Sequence, residues 1–250
     1  MTKTFSAKKA AALILAVCML VSVLGAFGCV TASADTHYAT LYYTDWNFSK
    51  YGMSGKSIYI KTDGAASEQQ VIVHHNYLPY EDWIDTEAEY VTTLDDGSKL
   101  WKADVTSYMH NYDKDFEFVI KYVADGVTYW NNNNGSNYIN NAFGVAPIAV
   151  QRYGSDLYIG NTITVTLQNY AYNKNVFIRY TNDNWNTYTD APMSYNKTNA
   201  DGTENWTGEV SVTASDYSDF EYCVCYQVNG NEYWANNFGE NYGYHYRIRP

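Results

Sequence analysis

The sequence predicts an all-β protein, two tandem immunoglobulin-like β-sandwich domains behind a signal peptide, and three observations carry that expectation. Apolar residues alternate with polar ones in short runs, as in Ile163, Val165, Leu167, then Val176, Ile178, Tyr180, then Phe220, Tyr222, Val224, Tyr226, Val228, which is the period of a half-buried strand. Gly, Asn and Asp clusters punctuate these runs at intervals of roughly 8–12 residues, as in sandwich folds. No helical stripe competes with them beyond the leader. The chain also repeats itself at a fixed offset, which sets the domain count.

Taken in chain order, the leader comes first. Lys3, Lys8 and Lys9 precede an uncharged apolar run that ends before Ala32-Ser33-Ala34, the pattern of a secretory signal peptide over 1–34. The expected location is therefore secreted or extracellular. The run from Ala10 to Val30 is also long enough to cross a bilayer, so a retained anchor and a place at the cell surface stay open. Loss of the three leader lysines takes the formal net charge from −11 to −14. So acidic a chain lacks the clustered Lys and Arg that nucleic-acid binding requires. Outside the leader only Cys223 and Cys225 remain. Two positions apart in a strand, they stand close to the limit of a disulfide's reach and read as free thiols.

The repeat is plainest in "VTYWNNNNGSNY" (Val127 to Tyr138) and "NEYWANNFGENY" (Asn231 to Tyr242). Phe116, Glu117, Tyr122, Gly126, Tyr129 and Trp130 recur 104 positions later as Phe220, Glu221, Tyr226, Gly230, Tyr233 and Trp234. Upstream the offset is 105, where Ile58, Val71 and Trp101 answer Ile163, Val176 and Trp206. Two domains follow, 37–143 and 146–250, each of a size that buries a core. The short connection "NNAFGVAP" is expected to restrict their mutual angle.

The repeated phrase has a surface chemistry of its own. A sugar ring presents a face of C–H groups and an edge of paired hydroxyls, which suits a flat aromatic ring below and planar amides beside. Tyr233 and Trp234 alternate across a strand, so that one ring can enter the core while the other faces out. Asn236 and Asn237 then fall in the following turn. The plainer reading has Trp234 as a core anchor, the Asn run satisfying its own backbone and Gly239 supplying a positive φ. The residues alone leave both readings open. The many tyrosines, 27 of them, exceed what two small cores use. His74 and His75 are strand neighbours on opposite faces and form no metal site. No carboxylate pair flanking a deep cleft is evident, so neither an enzyme nor a cofactor is expected.

"VFIRYTNDNWNTYTDA" and "DFEYCVCYQVNGNEYWANNFGENY" resemble carbohydrate-binding module family 21, the starch-binding and glycogen-binding family found in some glucoamylases and in glycogen-targeting subunits of protein phosphatase 1. The resemblance spans nearly all of 146–250. "VIVHHNYLPYEDWIDTEAEY" and "DFEFVIKYVADGVTYWNNNNGSNY" match more loosely over 38–138. The resemblance implies an immunoglobulin-like sandwich that binds α-1,4-glucans: starch, glycogen and maltooligosaccharides. Carried over by motif, the stacking rings of the second copy would be Trp185 and Trp234, with Asn184, Asn236 and Asn237 as polar partners and Tyr172 at a second site. Cys223 stands where some family members have a further aromatic. In the first copy Trp130, Asn132 and Asn133 match, Tyr80 falls at the Trp185 place and Trp83 at the Tyr188 place, and either ring could serve. The expected function is a secreted, non-catalytic α-glucan binder with avidity from two copies, serving separate amylases or a cell-surface complex. The alternative is a surface module whose aromatics bind another protein.

Overall fold

The computed structural model describes residues 37–50, 53–77, 82–107, 116–151, 161–214 and 217–243. The leader 1–34, and with it the expected route of export, lies outside the described residues, as does Tyr80. Residues 37–250 form one compact unit, and within it no α-helix occurs among the described residues. Three 3-10 turns interrupt the strands, at Asn133–Gly135, Tyr217–Asp219 and Asn237–Gly239.

The amino-terminal half runs β1 (Ala39–Lys50), β2 (Met53–Thr62), β3 (Gln69–Tyr77), β4 (Ile84–Glu87), β5 (Glu89–Thr93), β6 (Lys99–Ser107), β7 (Phe116–Ala124), β8 (Val127–Asn131) and β9 (Tyr138–Ile139). The carboxy-terminal half runs β10 (Ile148–Gln151), β11 (Thr162–Leu167), β12 (Lys174–Thr181), β13 (Thr189–Pro192), β14 (Ser194–Thr198), β15 (Glu204–Glu209), β16 (Glu221–Val228), β17 (Asn231–Ala235) and β18 (Tyr242–Gly243). In the first half the sheets are β1-β2-β6-β5 and β4-β3-β7-β8, with β9 also on β7. In the second they are β10-β11-β15-β14 and β13-β12-β16-β17, with β18 also on β16. The strand orders of the two halves correspond, and all the pairings are antiparallel.

Period-two patterning explains how each half closes. Ile163, Val165 and Leu167 of one sheet meet Val176, Ile178, Tyr180, Tyr222, Val224 and Tyr226 of the other in a single core. Leu41, Ile58, Ile60, Ala103 and Val105 meet Val71, Val73, Phe118, Ile120 and Tyr122 in the same way. Each buried aliphatic or aromatic side chain of this kind contributes roughly 1.5–3 kcal/mol relative to exposure.

A third cluster joins the halves. Tyr43, Tyr59, Leu100, Ala146 and Ala149 are buried together, with Phe143 and Phe238 packed against them. The connecting segment is tied down by bonds from Val145 N to Leu41 O and Ala146 N to Tyr42 O, each 3.0 Å. Phe238 occupies the left-handed region at φ 58°, where its counterpart Asn134 also sits at φ 57°. Asn tolerates that conformation and Phe does not. The strain is offset because the Phe238 ring reaches Tyr59, with ring centroids 5.4 Å apart.

His74 and His75 divide between the two faces of β3 as their alternation requires. His75 is buried, its Nε2 2.9 Å from the Thr86 hydroxyl, and its Nδ1 has no hydrogen-bond partner among the described residues. Burial first, and His74 second, push its pKa down to about 4, against a smaller opposing effect of Asp85. The sign follows from linkage. The unfolded chain binds this proton below about pH 6.5 and the folded one resists it, so the stability present at neutral pH is lost as pH falls from about 6.5 to 4. The loss amounts to about 3 kcal/mol. Urea midpoints taken from pH 7 to pH 4 are expected to fall less steeply in His75→Phe than in the parent chain. Equal slopes would show that His75 does not carry this dependence.

Candidate functional site

The doubled phrase separates into parts that build structure and one that does not. Tyr233 packs against the core and Tyr242 is buried, stacked on Tyr222 at 5.3 Å. The Asn241 amide donates to Glu221 Oε2 at 3.0 Å, as Asn137 does to Glu117 in the first half. Asn236 Oδ1 accepts from Gly239 N at 3.3 Å, and Asn132 Oδ1 from Gly135 N at 3.0 Å. Gly135 and Gly239 stand at φ 91° and 100°, where a side chain would be strained. Of the expected amide partners, Asn132, Asn133 and Asn236 therefore also serve the turn itself. The carbonyl oxygens of Asn132 and Asn236 each accept one bond within the turn, and Asn133 Nδ2 donates one to Asn137 O at 3.0 Å. The tryptophan of each copy faces outward: Trp130 is 55% exposed and Trp234 37%.

Trp234 lies opposite Cys225 on β16, and Cys225 in turn lies opposite Phe177 on β12. Two positions along, Cys223 lies opposite Arg179, which lies opposite Asp190 on β13. A further two positions along, Glu221 Oε2 accepts from the Trp185 indole Nε1 at 2.5 Å. Residues 221, 223 and 225 share one face of the strand. Trp185 and Trp234 are thus on the same outward face, spaced by four strand positions or about 13 Å, and the core does not separate them.

Between them runs a stripe that the motif did not announce. Asp190 receives two bonds from Arg179, Nε to Oδ1 and Nη2 to Oδ2, both 2.7 Å. The guanidinium lies 4.3 Å from the Tyr188 ring centre and 5.4 Å from that of Trp234. Phe177 meets Trp234 edge-on at 5.8 Å and 90°. The hydrogen bonds to Asp190 raise the pKa of Arg179, so it is a fixed positive charge. Beneath the stripe, burial pushes the thiols of Cys223 and Cys225 up to about 11 and about 12. Both are free, neutral and inert, and neither supplies the aromatic that some members of the resembled family carry there.

The loop that presents Trp185 is held from within. Asp183 Oδ1 accepts from Thr187 N at 2.8 Å and from the Thr181 hydroxyl at 2.7 Å, and that hydroxyl accepts from Trp185 N at 3.0 Å. Asn184 N donates to Asp219 O at 3.1 Å. Asn184 and Trp185 both have left-handed φ, 57° and 64°. For a bulky residue such as Trp this costs of order 1–3 kcal/mol. The strain is retained where the ring is aimed at the sheet's outer face.

The amino-terminal half builds the same stripe from other residues. His74 replaces Arg179, its Nδ1 2.6 Å from Asp85 Oδ1, and its ring stacks on Trp83 at 4.8 Å and 20°. Trp130 meets His74 edge-on at 5.8 Å, and Lys121 Nζ lies 5.7 Å from the Trp130 ring centre. Trp83 stands at the Tyr188 place, as the 105-residue offset expects. Tyr172 lies elsewhere, in the β11–β12 loop, and is 97% exposed. Sequence reasoning missed Arg179, Asp190, Tyr188 and Glu221, along with His74 and Asp85. The usable signal was the 105-residue offset, which pairs an outward planar side chain bearing ring or guanidinium nitrogens with an aspartate eleven positions on in both copies.

Residues 154–245 match the family model described as carbohydrate/starch-binding module (family 21). Among curated proteins the chain is similar to protein phosphatase 1 regulatory subunit 3B of Rattus norvegicus, 39% identical over 83 residues, 32% of this chain and 29% of that one. It is similar to the same subunit of Homo sapiens, 39% identical over 83 residues with the same shares, 32% and 29%. It is also similar to subunit 3C of Bos taurus, 35% identical over 85 residues, 32% of this chain and 27% of that one. The chain thus spans less than a third of the length of these relatives. A solution structure of the carbohydrate binding module of the muscle glycogen-targeting subunit of Protein Phosphatase-1 is 23% identical with a TM-score of 0.33, covering 42% of this chain and 76% of that one.

One carbohydrate-binding module of family 21 is therefore located at 154–245. The relatives are named as regulatory subunits of a phosphatase, and this overturns two expectations drawn from the sequence. One was a secreted α-glucan binder gaining avidity from two copies; the other was partnership with amylases or a cell-surface complex. The physical reason is that a sugar-binding face is complete within about 100 residues, so the same motif serves whatever the rest of a protein is joined to.

Proposed function

We propose that residues 154–245 act as a non-catalytic glycogen-binding module with a targeting role, holding the protein and its partner on the polysaccharide. The observation that carries this reading is the placement of Trp185 and Trp234 on one outward face, with a planar cation and a third ring between them. Such a face offers several sugar units of one chain a stacking surface and leaves their outer hydroxyls in water. A single open site of this kind binds weakly, with a dissociation constant of about 10⁻⁴ M. Tyr172, exposed in its loop, would form a separate minor contact. We read the amino-terminal half as a second, divergent immunoglobulin-like module. Its support is the corresponding strand order and the Trp83, His74 and Trp130 stripe.

The test is sedimentation of the folded chain with glycogen, with cellulose as the control polymer. Selective co-sedimentation with glycogen is expected. A folded chain that stays in the supernatant with both polymers would overturn the reading. The likeness to phosphatase regulatory subunits extends the proposal to a partner, a protein phosphatase 1 catalytic subunit. Glycogen loaded with this chain is then expected to retain that subunit, while glycogen alone retains less.

A further inference from the structure

The stripe between the two tryptophans is built like a binding element. A surface pair of this kind contributes little to stability, yet both halves place a planar nitrogen group bonded to an aspartate at equivalent positions and flank it with exposed rings. Arg179 with Asp190 sits between Tyr188 and Trp234. His74 with Asp85 sits between Trp83 and Trp130. The residue types differ between the copies, Arg against His and Tyr against Trp, but the property is kept. It is a flat N–H donor, fixed in plane by a carboxylate, in contact with two rings. Lysine has the charge without the flat fork.

Asp190 takes Arg179 Nε and one proton of Nη2. The two Nη1 protons and the second of Nη2 have no acceptor among the described residues. Beneath them, Cys223 is buried and neutral, so the sheet offers no competing acceptor there. Tyr188 is 58% exposed, with its ring held against the guanidinium.

We propose that Arg179, held flat by Asp190 between Tyr188 and Trp234, is a sugar-contacting group that donates from Nη1 to adjacent hydroxyls of a glucan, and that Tyr188 is a third stacking ring of the same face. The inference rests on the glycogen-binding reading above and deepens it. Arg179 takes the central position that an aromatic at Cys223 would otherwise hold. It also gives this face a selectivity that rings alone lack, since a sugar whose neighbouring hydroxyls diverge cannot accept from one planar fork.

The test uses the full chain in affinity electrophoresis through glycogen and in calorimetric titration with maltoheptaose. Arg179→Gln and Tyr188→Ala are each expected to weaken binding about tenfold, and Arg179→Lys to recover little of the loss. Tyr188→Ala changes an exposed ring, so it reports on binding even if an Arg179 variant is unstable, and thermal midpoints are recorded for every chain. Parental affinity in both Arg179→Gln and Tyr188→Ala would overturn the inference while leaving the glycogen reading standing. A parent chain that binds neither glycogen nor maltoheptaose would overturn that reading, and this inference with it.

Discussion

Replacing Trp185 and Trp234 together by alanine is expected to weaken binding to glycogen by about 30-fold or more, with the fold intact. By analogy with bases stacked on aromatic side chains, each ring contributes about 1–3 kcal/mol, so the loss of two amounts to at least about 2 kcal/mol. Neither ring is a core member. Trp234 is exposed on its sheet, and Glu221 keeps the Asn241 amide as a partner when the Trp185 indole is gone. Alanine at 185 keeps a Cβ on the left-handed backbone, so the change adds no new backbone strain and its effect on stability is small. Affinity electrophoresis alongside thermal unfolding checks both halves of the expectation. Unchanged mobility in glycogen gels would show that the outward face is not the binding face. A matching Trp83→Ala, Trp130→Ala chain reads the share of the amino-terminal half separately, because the two pairs share no contact partner.

Gly144→Ala is expected to be the most destabilising single methyl that can be added to the segment joining the halves. A Cβ at this position would stand 1.9 Å from Leu41 O and 2.4 Å from Leu41 C, both backbone atoms. Strand β1 would have to move, and with it the bonds from Val145 N to Leu41 O and Ala146 N to Tyr42 O. The carbonyl of Gly144 also accepts from Gln168 Nε2 at 2.6 Å, so the displacement reaches the carboxy-terminal half. Overpacking of this kind costs about 3 kcal/mol, or roughly 6–12 °C in thermal midpoint for a chain of this size. Val145→Ala, at an exposed neighbour, is expected to shift the midpoint little. Equal midpoints for the two variants would mean that the halves do not depend on this close approach.

Much of this architecture was legible in the residues. The alternation in Val176, Ile178 and Tyr180 shows one face of β12 turned inward, and the same alternation turns Phe177 and Arg179 outward. Tyr233 and Trp234 were separable into an inner and an outer ring for the same reason. The 104-residue and 105-residue offsets marked out the two halves. The asparagines were harder. Asn236 and Asn237 carry the right groups for a sugar, but the same groups also satisfy a left-handed turn, and the turn took the Asn236 carbonyl. The expected wider role was the part overturned, because a module of this size can be joined to different partners.

The sequence by itself determined the strands and the recurrence of one phrase in two places, because side-chain period and turn chemistry are local properties that a run of residues carries with it. The tertiary structure alone decided which outward residues meet. Arg179, Tyr188 and Trp234 come from three strands, and Phe238 finds Tyr59 across the junction of the halves. Those encounters depend on strand pairing and register between distant segments, where hydrogen bonding fixes neighbours that no local pattern specifies.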